Sequence, residues 1–252
     1  MASSVVLAAE AVARAHHARY DPSHDFHHIT RVRGLALAIA RSLAPQPQPQ
    51  PDPVVVELAA LFHDLLDKKY LPEPIPTARE HLAPFWDEHG GTDVSDEQKR
   101  LVERIVENVS YSKEVKRIAA GQQTEWHLTC PELHCVQDAD KLDAIGAFGI
   151  MRCAAFSAIS NRPLYLPSSP AAPAVSDTAS PSAAPTPAAA TPSSAGDSAI
   201  DHFHDKLFKL EGMMKTARGR ELARRRTESM RQFVEDTERE WREAKEGFVE
   251  SR

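Results

Sequence analysis

The chain has 252 residues, 42% of them hydrophobic, which is enough for a real core in one large or two small domains and excludes wholesale disorder. Its formal net charge of −6 argues against a general nucleic-acid binder and leaves only a local basic face as a route to such a partner. Cys130, Cys135 and Cys153 form an odd set with no CxxC pair, the pattern of reduced thiols in a cytosolic or nuclear compartment.

The N-terminal stretch MASSVVLAAEAVARAHH carries its charge after the apolar residues and lacks the uninterrupted apolar region of a signal peptide. No window approaches the ~18 apolar residues of a membrane span, so a soluble, cytoplasmic or nuclear protein is expected. Residues 3–19 read as a first helix, with Val6, Ala9, Val12 and Ala13 at helical spacing, and Pro22 breaks it. A second helix runs from near Asp25 to about Leu43 along Ile29, Val32, Leu35, Ile39 and Leu43, with His28 one turn ahead of Val32 on that side. The tract Pro45–Pro53 forbids helix and predicts an extended, exposed connection.

Asp52-Pro53 then starts a third helix, with Asp as N-cap and Pro in the first helical position. That helix ends in LAALFHDLLD and delivers His63 and Asp64 side by side. An imidazole and a carboxylate in such an apolar run are costly to bury unless something pairs them, and a metal ion does so. Thr77 with Glu80, and Ser95 with Gln98, have capping-box spacing. The first of these helices stops at Gly90-Gly91, and the second carries Leu101, Val102, Ile105, Val106 and Val109 as its core stripe. Residues 114–129 read as a short helix followed by loop. Thr129 and Glu132 suggest another capping box, opening a helix that continues through QDADKLDAIGAFGIMRCAAF to about Ser157. Charged residues in the middle of that buried-looking helix break a local rule, as functional sites do.

Residues 167–198 contain no aromatic, Lys or Arg and predict a disordered insert within a single domain. Ile200, Phe203, Leu207, Leu210 and Met213 mark an amphipathic helix after it, and a last, charged helix from about Thr216 to Lys245 is anchored by Met230, Phe233, Val234 and Trp241. No strand pattern appears, so the predicted class is all-α. Acids such as Glu221 and Glu228 interleave with the Arg-rich run 218–231, which fits a solvated helix face better than a nucleic-acid surface.

His28, His63-Asp64 and an Asp of QDADKLD thus sit on three predicted helices. Two imidazoles and two carboxylates suit Mn²⁺, Mg²⁺, Fe²⁺ or Ni²⁺, and the absence of thiolates argues against structural zinc. Periodicity does not choose between Asp138 and Asp140. The order His…His-Asp…Asp resembles the HD-domain superfamily of metal-dependent phosphohydrolases. Within it, the chain is similar to the small hydrolases of the YedJ/YpgQ type. The resembling segments are HDFHHITRV, ELAALFHDLLD, VENVSYSK, VQDADKLDAIGAFGIMR, NRPLY and HFHDKLFKL, in order from about residue 10 to 245, and the chain departs from the bacterial pattern mainly by its two added tracts.

The resemblance implies that His28, His63, Asp64 and Asp140 hold one divalent ion, Mn²⁺ first among Mn²⁺, Mg²⁺, Ni²⁺, Co²⁺ and Fe²⁺. It leaves Asp138 beside the ligands, makes His24 and Asp25 orienting groups, and leaves His27 exposed. It also implies a catalytic role for Asp64 as ligand and for Asp67, one turn on, in orienting or deprotonating the attacking water, against an ordinary helix-end carboxylate paired with Lys68 or Lys69. His202, Lys206 and Lys209 share one face of their predicted helix at i, i+4 and i+7. With the resemblance they are phosphate contacts, and without it a solvated face. Lys113, Asn108 and Arg152 are further substrate candidates, with a C-terminal cap the alternative for Asn108 and a salt bridge to Asp138 the alternative to a substrate role for Lys141.

The implied activity is hydrolysis of a (deoxy)nucleoside triphosphate to monophosphate and pyrophosphate. A 5′-nucleotidase or small-nucleotide phosphodiesterase, or a non-catalytic nucleotide- or protein-binding scaffold, stand as alternatives. The expected partner is a small-molecule nucleotide, with no membrane and no stable nucleic-acid partner. Oligomeric state stays open, a homodimer included. P-loop, GxSxG, HExxH and dinucleotide-glycine motifs are absent.

Overall fold

In the computed structural model the described residues are 3–43, 50–67, 75–91, 93–167 and 198–249. Most of the Pro45–Pro53 tract and nearly all of the 167–198 insert lie outside them, as do Lys68 and Lys69. The described residues are helical with no strand: α1 (Ser4–His17), α2 (Phe26–Leu43), α3 (Pro53–Phe62), α4 (Ala78–His89), α5 (Asp96–Asn108), α6 (Tyr111–Ala119), α7 (Glu125–Thr129), α8 (Pro131–Asp143), α9 (Gly146–Ile159), α10 (Ala199–Asp205), a 3₁₀ turn Leu207–Met213, and α11 (Ala217–Val249).

α3 is the centre because it is apolar apart from Glu57, which pairs with Arg33 at 2.6 Å. Val55, Val56, Leu58, Ala59, Ala60, Leu61 and Phe62 are all buried, and α1, α2, α5 and α8 pack around it. Its start is fixed as the residues predict: the Asp52 carboxylate accepts from the Val54 and Val55 amides, and Pro53 fills the first helical position. Both predicted capping boxes, Thr77/Glu80 and Ser95/Gln98, are formed. The third is not. Cys130 is the N-cap of α8, and Glu132 instead accepts from the Asp52 amide at 3.0 Å, tying the start of α8 to the start of α3. α2 lies between α3 and α8, and residues from α10, the 3₁₀ turn and α11 join the same hydrophobic core. Burial pushes the Cys130 and Cys135 thiols up to about 12, so both are protonated core residues. No single helix among the described residues is long and apolar enough to cross a membrane.

Three predicted elements are broken in the structure. Residues 114–129 form not one helix and a loop but α6 and α7, separated by a turn at Gly121 in the left-handed region. The helix expected to run to about Ser157 bends by 66° after Asp143, giving α8 and α9. Apolar residues on both sides of the bend hide it from a periodicity argument. Its local cause is Gly146, at φ 76°, where an added Cβ would stand 2.9 Å from Cβ and Cγ of Arg226 on α11. Gly146→Ala should therefore lower stability by about 2 kcal/mol through backbone strain and overpacking. Gly34→Ala, in the interior of α2 with no atom within 4 Å of the added methyl, should be neutral or stabilising by about 0.5–1 kcal/mol. Urea unfolding of the two variants checks the contrast.

The third break falls at Lys206, whose φ of −134° ends α10 before the 3₁₀ turn. The i, i+4, i+7 face predicted for His202, Lys206 and Lys209 assumes a continuous helix that is not there.

Candidate metal centre

The packing of α2, α3 and α8 brings His28, His63 and Asp64 together as one group of possible metal ligands and sets Asp140 beside both imidazoles. His28 and His63 are buried at the edge of the core, while the Asp64 and Asp140 side chains are 23% and 26% exposed and form the open side. His28 Nε2 lies 3.2 Å from His63 Nε2, 3.4 Å from Asp64 Oδ2 and 3.7 Å from Asp140 Oδ1. His63 Nε2 is 3.5 Å from Asp64 Oδ2 and 3.8 Å from Asp140 Oδ1.

The far nitrogens decide what the near ones are. His28 Nδ1 faces the Asp143 carboxylate at 2.7 Å, and His63 Nδ1 faces the Ala60 carbonyl at 2.8 Å. Each far partner only accepts, so each Nδ1 must donate, and in the neutral rings both Nε2 atoms are lone pairs. Two lone pairs and two carboxylate oxygens then face one another with no hydrogen among them. Such a group repels itself unless a cation, or a proton taken up by His28, sits among them. Bonds of about 2.1 Å to a central ion would set neighbouring ligand atoms roughly 3.0–3.4 Å apart, close to the separations seen. The donor set therefore fits a divalent cation with mixed imidazole and carboxylate preference.

The titration behaviour has the same origin. Burial and the Arg152 charge oppose a protonated His28, yet hydrogen bonds to Asp143 and Asp64 outweigh them and raise its pKa. Burial would raise the Asp64 pKa, but the charges of His63 and His28 hold it well below the usual carboxylate range. Asp143, 1% exposed, is likewise held low, since burial is outweighed by His28, Arg31 and Arg152. It binds Arg31 Nε at 2.6 Å and Nη2 at 3.0 Å, and Arg152 Nη1 at 3.1 Å. Asp143 and Arg31 are absent from the sequence-based candidates. Asp143 lies three residues after Asp140 and so on the same side of α8, which is the signal that points to it.

Asp138 and Asp140 face different neighbours. Asp138, fully buried, accepts from the Lys215 amide at 2.9 and 3.1 Å and from the Thr216 amide and hydroxyl at 2.8 and 2.7 Å. It caps the long helix α11, and the absent side chain of Gly219 makes room for its carboxylate. Lys141 pairs not with Asp138 but with the buried Glu114 at 2.7 Å, and Lys215 takes the other Glu114 oxygen. Asp25 accepts from the His28 amide at 3.1 Å and holds the start of α2, the His24 carbonyl receives His17 Nδ1 at 2.9 Å, and His27 is exposed.

The remaining candidates have contacts of their own. Asn108 Oδ1 receives Arg117 and His127, and its Nδ2 donates to the Arg104 carbonyl. Lys113 Nζ donates to the Glu107 carbonyl at 3.0 Å and closes the end of α5. Arg152 Nε donates to the Ser23 carbonyl at 2.7 Å. Lys206 Nζ stands 4.8 Å over the Tyr111 ring, His202 is partly buried on α10, and Lys209 is exposed. Asp67 is partly exposed in the turn after α3, its amide bonded to the Asp64 carbonyl.

Comparison with known proteins places this geometry. The HD domain family matches residues 25–145, the span that contains all four converging side chains. The uncharacterized protein YpgQ of Bacillus subtilis (strain 168) is 32% identical over 219 residues, covering 86% of this chain and 84% of that protein. The crystal structure of B. subtilis YpgQ in complex with ADP superposes with a TM-score of 0.63 at 28% identity, over 93% of this chain and 97% of that one. A crystal structure from Lactobacillus plantarum does so with a TM-score of 0.68 at 27% identity, over 96% and 98%.

Proposed function

Because the chain belongs to the HD-domain family, we propose that it is a divalent-metal-dependent phosphohydrolase whose substrates are nucleotides, with a (deoxy)nucleoside triphosphate cleaved to monophosphate and pyrophosphate. The observation that carries this reading is the convergence of the His28 and His63 lone pairs with the Asp64 and Asp140 carboxylates, which suits nothing so well as a bound cation. A relative's structure in complex with ADP supports a nucleotide as the ligand class.

In this reading His28, His63, Asp64 and Asp140 hold the ion, with Mn²⁺ favoured and Mg²⁺, Ni²⁺, Co²⁺ and Fe²⁺ as alternatives. When bound, the ion makes hydroxide available near neutral pH and polarises a phosphoryl oxygen. Asp67 is proposed to orient or deprotonate the attacking water from its position after Asp64. His202, Lys206 and Lys209 are the proposed source of positive charge for the phosphates, here presented by α10, the break at Lys206 and the following turn rather than by one helix face. Asn108, Lys113 and Arg152, each also bonded within the chain, stay proposed as further substrate contacts, Arg152 subject to the role argued for it below.

Turnover of a nucleotide panel with Mn²⁺, Mg²⁺, Ni²⁺ or Co²⁺, with pyrophosphate and orthophosphate assayed separately, tests the reading. Pyrophosphate from triphosphates is the expected result. Orthophosphate from monophosphates would replace it with a 5′-nucleotidase, a ring-opened monophosphate with a phosphodiesterase, and metal binding without turnover with a nucleotide- or protein-binding scaffold.

A further inference from the structure

We infer that Asp143 is the positioning residue of the metal centre, fixing the ring of His28, and that Arg31 and Arg152 serve the same purpose by locking Asp143 in place. The inference rests on the metal reading above and gives Arg152 a role behind the metal in place of contact with a nucleotide. Asp143 sits at the C-terminal end of α8, where the chain bends into α9, and none of its partners is near in sequence except Arg152.

The geometry leaves the carboxylate no freedom. Oδ1 receives Arg31 Nε, while Oδ2 receives His28 Nδ1, Arg31 Nη2 and Arg152 Nη1. The Arg31 fork therefore engages both oxygens and sets the plane of the group. Arg152 is fixed in turn by the Ser23 carbonyl, just ahead of α2. The exposed Phe148 ring lies 4.2 Å from the Arg31 guanidinium and covers one side of it. The loop before α2, α2 itself, α8 and α9 are thus joined through one buried carboxylate.

That arrangement acts on the ligand atom. With Asp143 immobile, the hydrogen of His28 is kept on Nδ1, away from the centre. Nε2 then presents its lone pair toward His63 Nε2, Asp64 and Asp140. A carboxylate that orients a ligating imidazole in this way is worth about 10–100-fold in metal affinity. Without Asp143 the ring could turn or change tautomer, and one of four ligands would be lost part of the time.

Two readouts test the inference without any nucleotide. The first is ¹⁵N NMR of the histidine rings in the wild-type protein, metal-free and with Mg²⁺, which reports where His28 carries its hydrogen. The second is Mn²⁺ affinity by calorimetry for wild type, Asp143→Asn and Arg152→Gln, with melting temperatures measured alongside. The expected results are a hydrogen on His28 Nδ1, Mn²⁺ binding about 10–100-fold weaker in Asp143→Asn, and a smaller loss in Arg152→Gln. A hydrogen on His28 Nε2 with Nδ1 bare, in the Mg²⁺-loaded wild type, would overturn the inference, and so would wild-type Mn²⁺ affinity in either folded variant. A purely structural role would lower the melting temperature and leave affinity and tautomer unchanged. Should Asp143→Asn fail to fold around its two unpaired arginines, the wild-type spectrum still decides. Absence of Mn²⁺ binding by the wild type would instead remove the metal reading, leaving the tautomer as the separate test of the Asp143 contact.

Discussion

Asp64→Ala and His63→Ala are expected to lose divalent-ion binding and all turnover while keeping the helical fold. The physical reason is the composition of the site. Without an ion, the raised pKa of His28 lets a proton stand among His28, His63, Asp64 and Asp140 in place of the cation, so deleting one member removes contacts at the edge of the bundle and leaves the apolar core of α3 in place. In the wild type, an ion at about 100 times its dissociation constant should stabilise the fold by roughly 2.7 kcal/mol through mass action. Thermal melts with and without Mn²⁺ measure this directly. The metal-dependent rise should be present in the wild type and absent in both variants, while the metal-free melts should lie close together. Turnover that survived either substitution would contradict the assignment.

Asp138→Ala should behave in the opposite way. Asp138 satisfies the Lys215 and Thr216 amides and the Thr216 hydroxyl at the buried start of α11. Truncating it leaves three donors without a partner and removes a negative charge from a helix N-terminus, at a cost of about 3–5 kcal/mol. That is a large share of the stability of an ordinary domain. Asp140→Ala, two residues away, should leave stability almost unchanged and abolish ion binding. Chemical denaturation and ion-binding measurements on the two variants form a crossed comparison, and similar outcomes for both would mean that the two carboxylates have been assigned the wrong roles.

How far the sequence could be read depended on whether the deciding partner was local. His63 and Asp64 stand out because they interrupt an apolar run, and the Asp52, Thr77 and Ser95 caps are legible because a cap is written within three or four residues. The choice between Asp138 and Asp140 is not local. Apolar residues lie a turn away from both, and only the packing of α11 against one side of α8 and α2 against the other separates them. Asp143 escaped for the same reason, since its partner His28 is 115 residues away. The bend between α8 and α9 and the break at Lys206 are invisible to periodicity, because the residues on both sides of each remain apolar where they meet the core. Glu132 had the right spacing for a capping box with Thr129 but found a better donor in the Asp52 amide of another helix.

The most direct test of the central claim is anomalous diffraction from crystals of the Mn²⁺-loaded protein. One strong peak is predicted, at coordination distance of roughly 2.0–2.3 Å from His28 Nε2, His63 Nε2, an Asp64 oxygen and an Asp140 oxygen. No peak at that point, or a peak held by other side chains, would contradict it.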